Sequence, residues 1–272
     1  MSWRDVAHKN VRDSGRSRTV WLLFAILSIL FVGYAVGHGY LGEDSFVAFL
    51  DGLVGIVGTF IPALGVLLGY RSISDDRESG SLLLELSFPH SRRDLIVGTF
   101  VGRTIVLVVP TLVALAVAGI VGAFQYGTGG ALWYPWFLFV TALYGAAFVG
   151  VSMGLSMATT SDRRITFGAV GGYLLLASLW SGLVSFGFSV IHRFGIPGNV
   201  TIPDWGLLLQ LAGPSESFFR LMRAGFDLDR AGRYVGEGTP VYVDWWGALL
   251  LLALWIVVPL VLGFRRFRTA DL

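Results

Sequence analysis

The sequence predicts an all-α integral membrane protein of six transmembrane helices, preceded by an N-terminal interfacial helix, with both ends on the cytoplasmic side. Three observations carry that expectation. Of 272 residues, 54% are hydrophobic and only 14% charged, whereas soluble domains hold about a quarter charged residues. Several apolar runs reach the roughly 20 residues that cross a hydrocarbon core. The basic residues, all Arg except Lys9, gather in alternate connections between those runs.

The elements follow in chain order. In residues 1–18, Trp3, Val6, Ala7 and Val11 fall at helical spacing, with Arg4, Asp5, Lys9, Arg12 and Asp13 on the other faces. That pattern describes a helix lying in the interface, its apolar stripe in the acyl boundary and its arginines near anionic headgroups. No apolar core precedes a small-residue cleavage site here, so no removable signal peptide is expected. Residues 19–272 read as one six-helix transmembrane domain. The first span covers 20–40, ahead of an acidic link holding Glu43 and Asp44. The second covers 46–70, with Asp51 near its outer end and Pro62 near its middle.

The polar connection 71–94 follows, and its Leu82, Leu83, Leu84 and Leu86 are too few to span a bilayer. They read as a short helix lying against the cytoplasmic ends of the bundle or against another protein. Ser91 with Asp94 three residues on reads as a capping box opening the third helix. That span, 95–124, is longer than the bilayer requires; Arg103 lies towards its cytoplasmic end and Pro110 is a candidate kink. A Gly-rich link, 125–133, leads to the fourth span, 136–159. A charged turn at Ser161–Arg164 precedes the fifth span, 165–190. The outer segment 191–243 contains Pro197, Pro203, Pro214 and Pro240, and short helices are expected at 204–211 and from Pro214. The second of these, capped at its start, offers Phe218, Phe219, Leu221 and Met222 for packing. Asn199-Val-Thr201 is a glycosylation sequon in that segment. The sixth span, 245–264, ends in Arg265, Arg266, Phe267 and Arg268.

Orientation follows from the arginines. The leader, the 71–94 connection, the 161–164 turn and the tail are Arg-rich and fall on one side of a six-span arrangement. The two short links on the other side have neither Arg nor Lys, and the long outer segment mixes both signs. Basic loops stay inside, so both termini are expected in the cytoplasm of a multi-pass protein of the cell membrane.

Several chemistries are excluded or disfavoured. The chain has no Cys, so disulfides and thiolate metal sites are absent. His8, His38, His90 and His192 show no metal-ligand spacing. Gly150-Val-Ser152-Met-Gly154 matches the nucleophile-elbow pattern, but that motif needs a strand–turn–helix setting and here lies in an apolar helix. An intramembrane hydrolase is thus a distant third reading, with His192 the only downstream base. Glycines recur four apart at Gly33/Gly37, Gly65/Gly69, Gly98/Gly102, Gly150/Gly154 and Gly168/Gly172, which predicts close helix packing and a dimer seam. Asp51 and Arg103 are the only Asp, Glu, Lys or Arg within the spans, both near span ends, which argues against a proton or sodium relay. A P-loop needs Gly-x-x-x-x-Gly-Lys, and Lys9 lies between His8 and Asn10. Any ATPase is therefore a separate chain, and no cofactor, metal or nucleic acid is expected on this one.

The organisation resembles the membrane subunits of ABC-2 type ATP-binding-cassette transporters. Arg77-Glu78-Ser79-Gly80-Ser81-Leu82, then Leu86, Pro89 and Ser91-Arg92, is similar to that family's cytoplasmic signature. Pro214-Ser-Glu-Ser-Phe resembles a segment before the last span in the branch that includes the permease for nitrous-oxide-reductase maturation. The resemblance implies that the leader, with Trp3, Val6 and Val11, is an elbow helix, and that 71–94 couples the chain to a separate ATP-binding subunit. Asp76, Arg77 and Glu78 would pair with the ATPase surface and Gly80 would permit a turn. Leu82, Leu83 and Leu86 would receive its motion, Pro89 would end the short helix, and Arg92 would follow in the motif. It further implies two permease copies around the translocation path, most simply as a homodimer, and export. The family often has Lys near the start of the third span; Thr99 and Arg103 stand there and receive no role. A non-transporting membrane scaffold or maturation factor is the alternative reading.

Overall fold

The computed structural model describes residues 3–15, 17–41, 45–70, 91–159, 161–195, 203–228, 232–235 and 239–269. Among these every regular element is helical. Helix α1 (Trp3–Gly15) precedes α2 (Arg18–Gly37), which runs into a 3₁₀ turn at His38–Leu41. Helix α3 (Phe46–Gly69) opens at Ser45, whose hydroxyl accepts the Ala48 amide at 3.1 Å. The cap occupies one of the amides that a helix start leaves without a partner. Helix α4 (Arg92–Tyr126) opens at Ser91 as the sequence predicts: the hydroxyl accepts the Asp94 amide at 3.1 Å and donates to the Asp94 carboxylate.

Two glycines turn the chain after α4. Gly127 (φ 83°) and Gly130 (φ 87°) lie in the left-handed region, where only a residue without Cβ is unstrained. A 3₁₀ turn at Ala131–Trp133 then starts α5 (Tyr134–Ala158). The expected fifth span is not one regular helix. It comprises α6 (Asp162–Tyr173), a π-helical stretch at Leu174–Leu179, and α7 (Trp180–Gly195). Outer helices α8 (Asp204–Leu211) and α9 (Pro214–Gly225) precede α10 (Trp245–Thr269).

Six stretches are long and apolar enough to cross a membrane: Val20–Tyr40, Phe46–Gly69, Arg92–Tyr126, Ala131–Ala158, Arg163–Ile191 and Trp245–Arg268. Helix α5 is the hub. Two-thirds of its apolar window (67%) is buried, against 6% for the fifth stretch. It packs on α3, α4, α9 and α10, with Phe137, Tyr144, Phe148 and Met153 fully enclosed.

Glycines set these seams, because in lipid close backbone approach replaces the hydrophobic drive. A Cβ on Gly65 would stand 3.0 Å from the Phe148 Cβ, and one on Gly150 would stand 3.0 Å from the Ile256 carbonyl oxygen. Gly154 faces the Pro259 carbonyl more closely still. Gly33, Gly37 and Gly172 meet nothing within 4 Å, so these positions serve no contact inside the described part of the chain.

Candidate functional site

Two polar assemblies lie at opposite ends of the bundle. At one end α1, the start of α4 and the end of α10 converge on a buried cluster of Val6, Leu95, Ile96, Met153, Met157 and Phe267. The sequence places the apolar stripe of α1 towards lipid. The structure corrects part of this: Val6 and Ala7 are buried against α4, Val11 is half-buried, and Trp3 remains exposed. The cause is the Gly98/Gly102 pair. A Cβ on Gly98 would stand 2.6 Å from the Trp3 carbonyl oxygen and one on Gly102 2.6 Å from the Asn10 Cβ, so backbone lies on backbone.

Arg92 joins α4 to the far end of the chain. Its guanidinium donates to the carbonyls of Phe267 and Arg268, each at 3.3 Å, and lies 5.7 Å from the Phe267 ring centre. The last carbonyls of a helix have no helical donor, so the arginine fills a vacancy at the end of α10. Asp76, Arg77, Glu78, Gly80, Leu82, Leu83, Leu86 and Pro89 lie outside the described residues, as does the Asn199 sequon. Arg92 is the one predicted coupling residue that the structure places.

At the other end, α9 is wedged between α3, α5, the π stretch and α10. Within α3, Pro62 has no amide hydrogen, so the Gly58 carbonyl four residues earlier lacks its helical donor. The Tyr144 hydroxyl on α5 lies 3.1 Å from that oxygen and 2.7 Å from the Ser215 hydroxyl on α9. Ser215 Oγ is in turn 3.1 Å from the Leu176 carbonyl in the π stretch. Four elements meet in this chain of contacts. Two hydroxyl protons serve three links, so when the two hydroxyls bond each other, one of the two carbonyls is left without a proton.

The described parts of the outer segment are tied down by further polar and charged contacts. Tyr234 donates to Glu216 at 2.7 Å; burial and then the neighbouring carboxylate push its phenol far above the usual value, keeping it protonated. Arg233 reaches Glu216 at 4.0 Å and donates to Ser181 at 2.9 Å. The fully buried Gln210 donates to Ser185 at 2.8 Å. Arg220 is pulled down by burial and held up by Asp244 at 2.5 Å, whose carboxylate also accepts the Trp245 amide that opens α10. Indole donors complete the attachment: Trp136 to Leu221 at 2.8 Å, Trp180 to Leu209 at 3.0 Å and Trp255 to Ala212 at 2.7 Å.

Sequence reasoning anticipates the short helices and their apolar face but not this network. Helix α9 is not capped as the sequence suggests: its N-cap is Gly213, which has no side chain, and Ser215 in the first turn reaches the Leu176 carbonyl instead. Pro62 was the available signal, since a proline inside a buried helix demands a donor from elsewhere.

Ser152 is not arranged as a nucleophile. Its hydroxyl is buried and directed at the carbonyls of Phe148 (2.9 Å), Val149 (3.1 Å) and Gly65 (3.3 Å), a helical back-bonding pattern. Arg103 is half-buried on α4, and its Nε has no partner among the described residues.

Comparison with known proteins agrees with this architecture. The family model described as ABC-2 family transporter protein matches residues 4–272. The probable ABC transporter permease protein NosY of Pseudomonas aeruginosa is 28% identical over 276 residues, covering 97% of this chain and 96% of the relative. The protein of the same name from Stutzerimonas stutzeri is 29% identical over 280 residues, covering 97% of each.

Proposed function

This chain belongs to the ABC-2 transporter family and is the membrane permease subunit of an ABC transporter; from that premise we propose an exporter in which two copies are driven by a separate ATP-binding chain. The observation that carries the proposal is a family match over residues 4–272 in a chain whose sole lysine cannot complete a P-loop. ATP must then be bound elsewhere, and its work must enter through a surface contact. Residues 71–94 supply that contact in this reading, with both termini on the same, cytoplasmic side of the cell membrane and α1 as the elbow helix.

The geometry supports the direction of force. The coupling segment runs directly into Ser91 and Arg92. A push there passes into α4 through its cap and into α10 through the two carbonyls that Arg92 holds. At the far end, α9 and its hydroxyl chain form the outer closure that such a push must release. The fifth stretch favours a second copy: Gly171, Gly172, Gly182 and Gly187 meet nothing within 4 Å, as glycines at an intermolecular seam would in a single chain.

Reconstitution with the ATPase tests the reading. Glu78→Arg is expected to leave ATP hydrolysis running while substrate movement stops. Unchanged transport in that variant would remove Glu78 from the mechanism. Absence of any ATP-driven movement in the wild-type complex would favour the scaffold.

A further inference from the structure

Beside the Arg92 anchor, a groove of about 340 Å³ runs between the first turns of α4 and the last turns of α10. Val97 and Phe100 form one wall, Val261 and Phe264 the other, and Arg93 stands at the end. The volume lies in the range of small-ligand clefts, which run from about 300 to 1,000 Å³. Val97 and Val261 are 45% and 42% exposed, so the groove opens sideways, towards what surrounds the bundle.

Its two halves want different things. The walls are apolar and fit a hydrocarbon chain. The polar end is cationic: the Arg93 guanidinium lies 6.0 Å from the Phe264 ring centre, and Arg268 stands in the last turn of α10. The nearby carboxylate, Asp94, is engaged by the Ser91 hydroxyl. Arg92 is committed to the carbonyls of Phe267 and Arg268, which leaves Arg93 as the cation at the groove. Arg265 and Arg266 also line a second groove of about 500 Å³ on the opposite flank of α10, so this end of the helix carries positive charge to both sides.

An apolar trough between two candidate spans, ending in arginine, matches one chemistry. We propose that this groove is a binding site for an anionic glycerophospholipid, an acyl chain between α4 and α10 and its phosphate on Arg93. The leaflet follows from the orientation argued above and is the cytoplasmic one. The site itself needs only the two helices. The bound lipid would brace the junction through which α4 and α10 are joined.

The test uses the full chain in a detergent micelle, exposed to equimolar phosphatidylglycerol and phosphatidylcholine, with retained lipid read by native mass spectrometry. Wild type is expected to retain one phosphatidylglycerol with about fivefold preference, the scale set by one basic residue facing an anionic headgroup. Arg93→Gln should abolish the preference, and Val97→Trp, which fills an exposed groove wall, should abolish retention. Arg163→Gln removes an arginine 5.6 Å from the Phe167 ring outside this groove and should change neither. Equal retention of both lipids by wild type means bulk annular lipid only and overturns the proposal. So does full preference in Arg93→Gln, or no retained lipid in wild type, the result expected if residues 71–90 fill the groove. Because neither ATPase nor transport enters the readout, failure here leaves the transporter reading untouched.

Discussion

The Tyr144 hydroxyl lies 3.1 Å from the Gly58 carbonyl oxygen, the acceptor that Pro62 deprives of its helical donor. A proline in a membrane helix is tolerated when a neighbouring group re-satisfies the freed carbonyl. Here the same hydroxyl also touches Ser215, so repair of α3 and attachment of the outer helix α9 share one residue.

That sharing can be measured. Tyr144→Phe should lower stability by about 1–3 kcal/mol, the cost of leaving buried polar groups unpaired. In a Pro62→Ala background the helix supplies its own amide to Gly58, and the cost of Tyr144→Phe should shrink. Thermal unfolding of the four proteins of this double-mutant cycle checks it. Equal costs in both backgrounds would show that Tyr144 does not serve Gly58.

Glycine seams predict a contrast. A Cβ on Gly154 meets the Pro259 backbone, so Gly154→Ala must part α5 from α10 and should cost about 1–3 kcal/mol. Gly33→Ala meets nothing within 4 Å and should leave the fold intact. Unfolding temperatures distinguish the two. If Gly33→Ala instead weakens a purified dimer, the second copy sits on α2.

Ser152→Ala should be tolerated to within about 1 kcal/mol, because its hydroxyl only doubles carbonyls on its own and a neighbouring helix. Transport and assembly are expected to be retained. Loss of an activity in a normally assembled Ser152→Ala protein would revive the hydrolase reading.

The Tyr234–Glu216 pair gives the outer segment a pH dependence. The Tyr234 phenol is raised by burial and by Glu216, so its contribution is complete below the ordinary phenol value of about 10. It is lost as pH climbs above that value. Tyr234→Phe should therefore destabilise the protein at neutral pH and flatten the alkaline loss of stability. Parallel loss in wild type and variant would exclude Tyr234 as its source.

Much of the fold was legible because apolar run length and helix caps are local signals. The six stretches and the Ser91/Asp94 opening of α4 follow from a few adjacent residues. The glycine pairs announced close packing but not which helix each one receives; Gly98 and Gly102 take α1, while Gly33 takes nothing described. The π stretch at Leu174–Leu179 was hidden, since an inserted backbone bond leaves the apolar composition unchanged. The outer network was hidden for another reason. Tyr144, Leu176 and Ser215 are far apart in sequence, and hydroxyls at isolated positions carry no periodicity. Pro62 marked the need for a donor and gave no sign of which residue would meet it.

The most direct measurement of the central claim is co-purification. The chain, tagged at its C-terminus and extracted in mild detergent, is expected to bring down a second polypeptide with a P-loop in stoichiometric amount. Leu83→Asp with Leu86→Asp should release that partner while the permease still folds. A permease pair recovered intact without any ATP-binding chain would contradict the account.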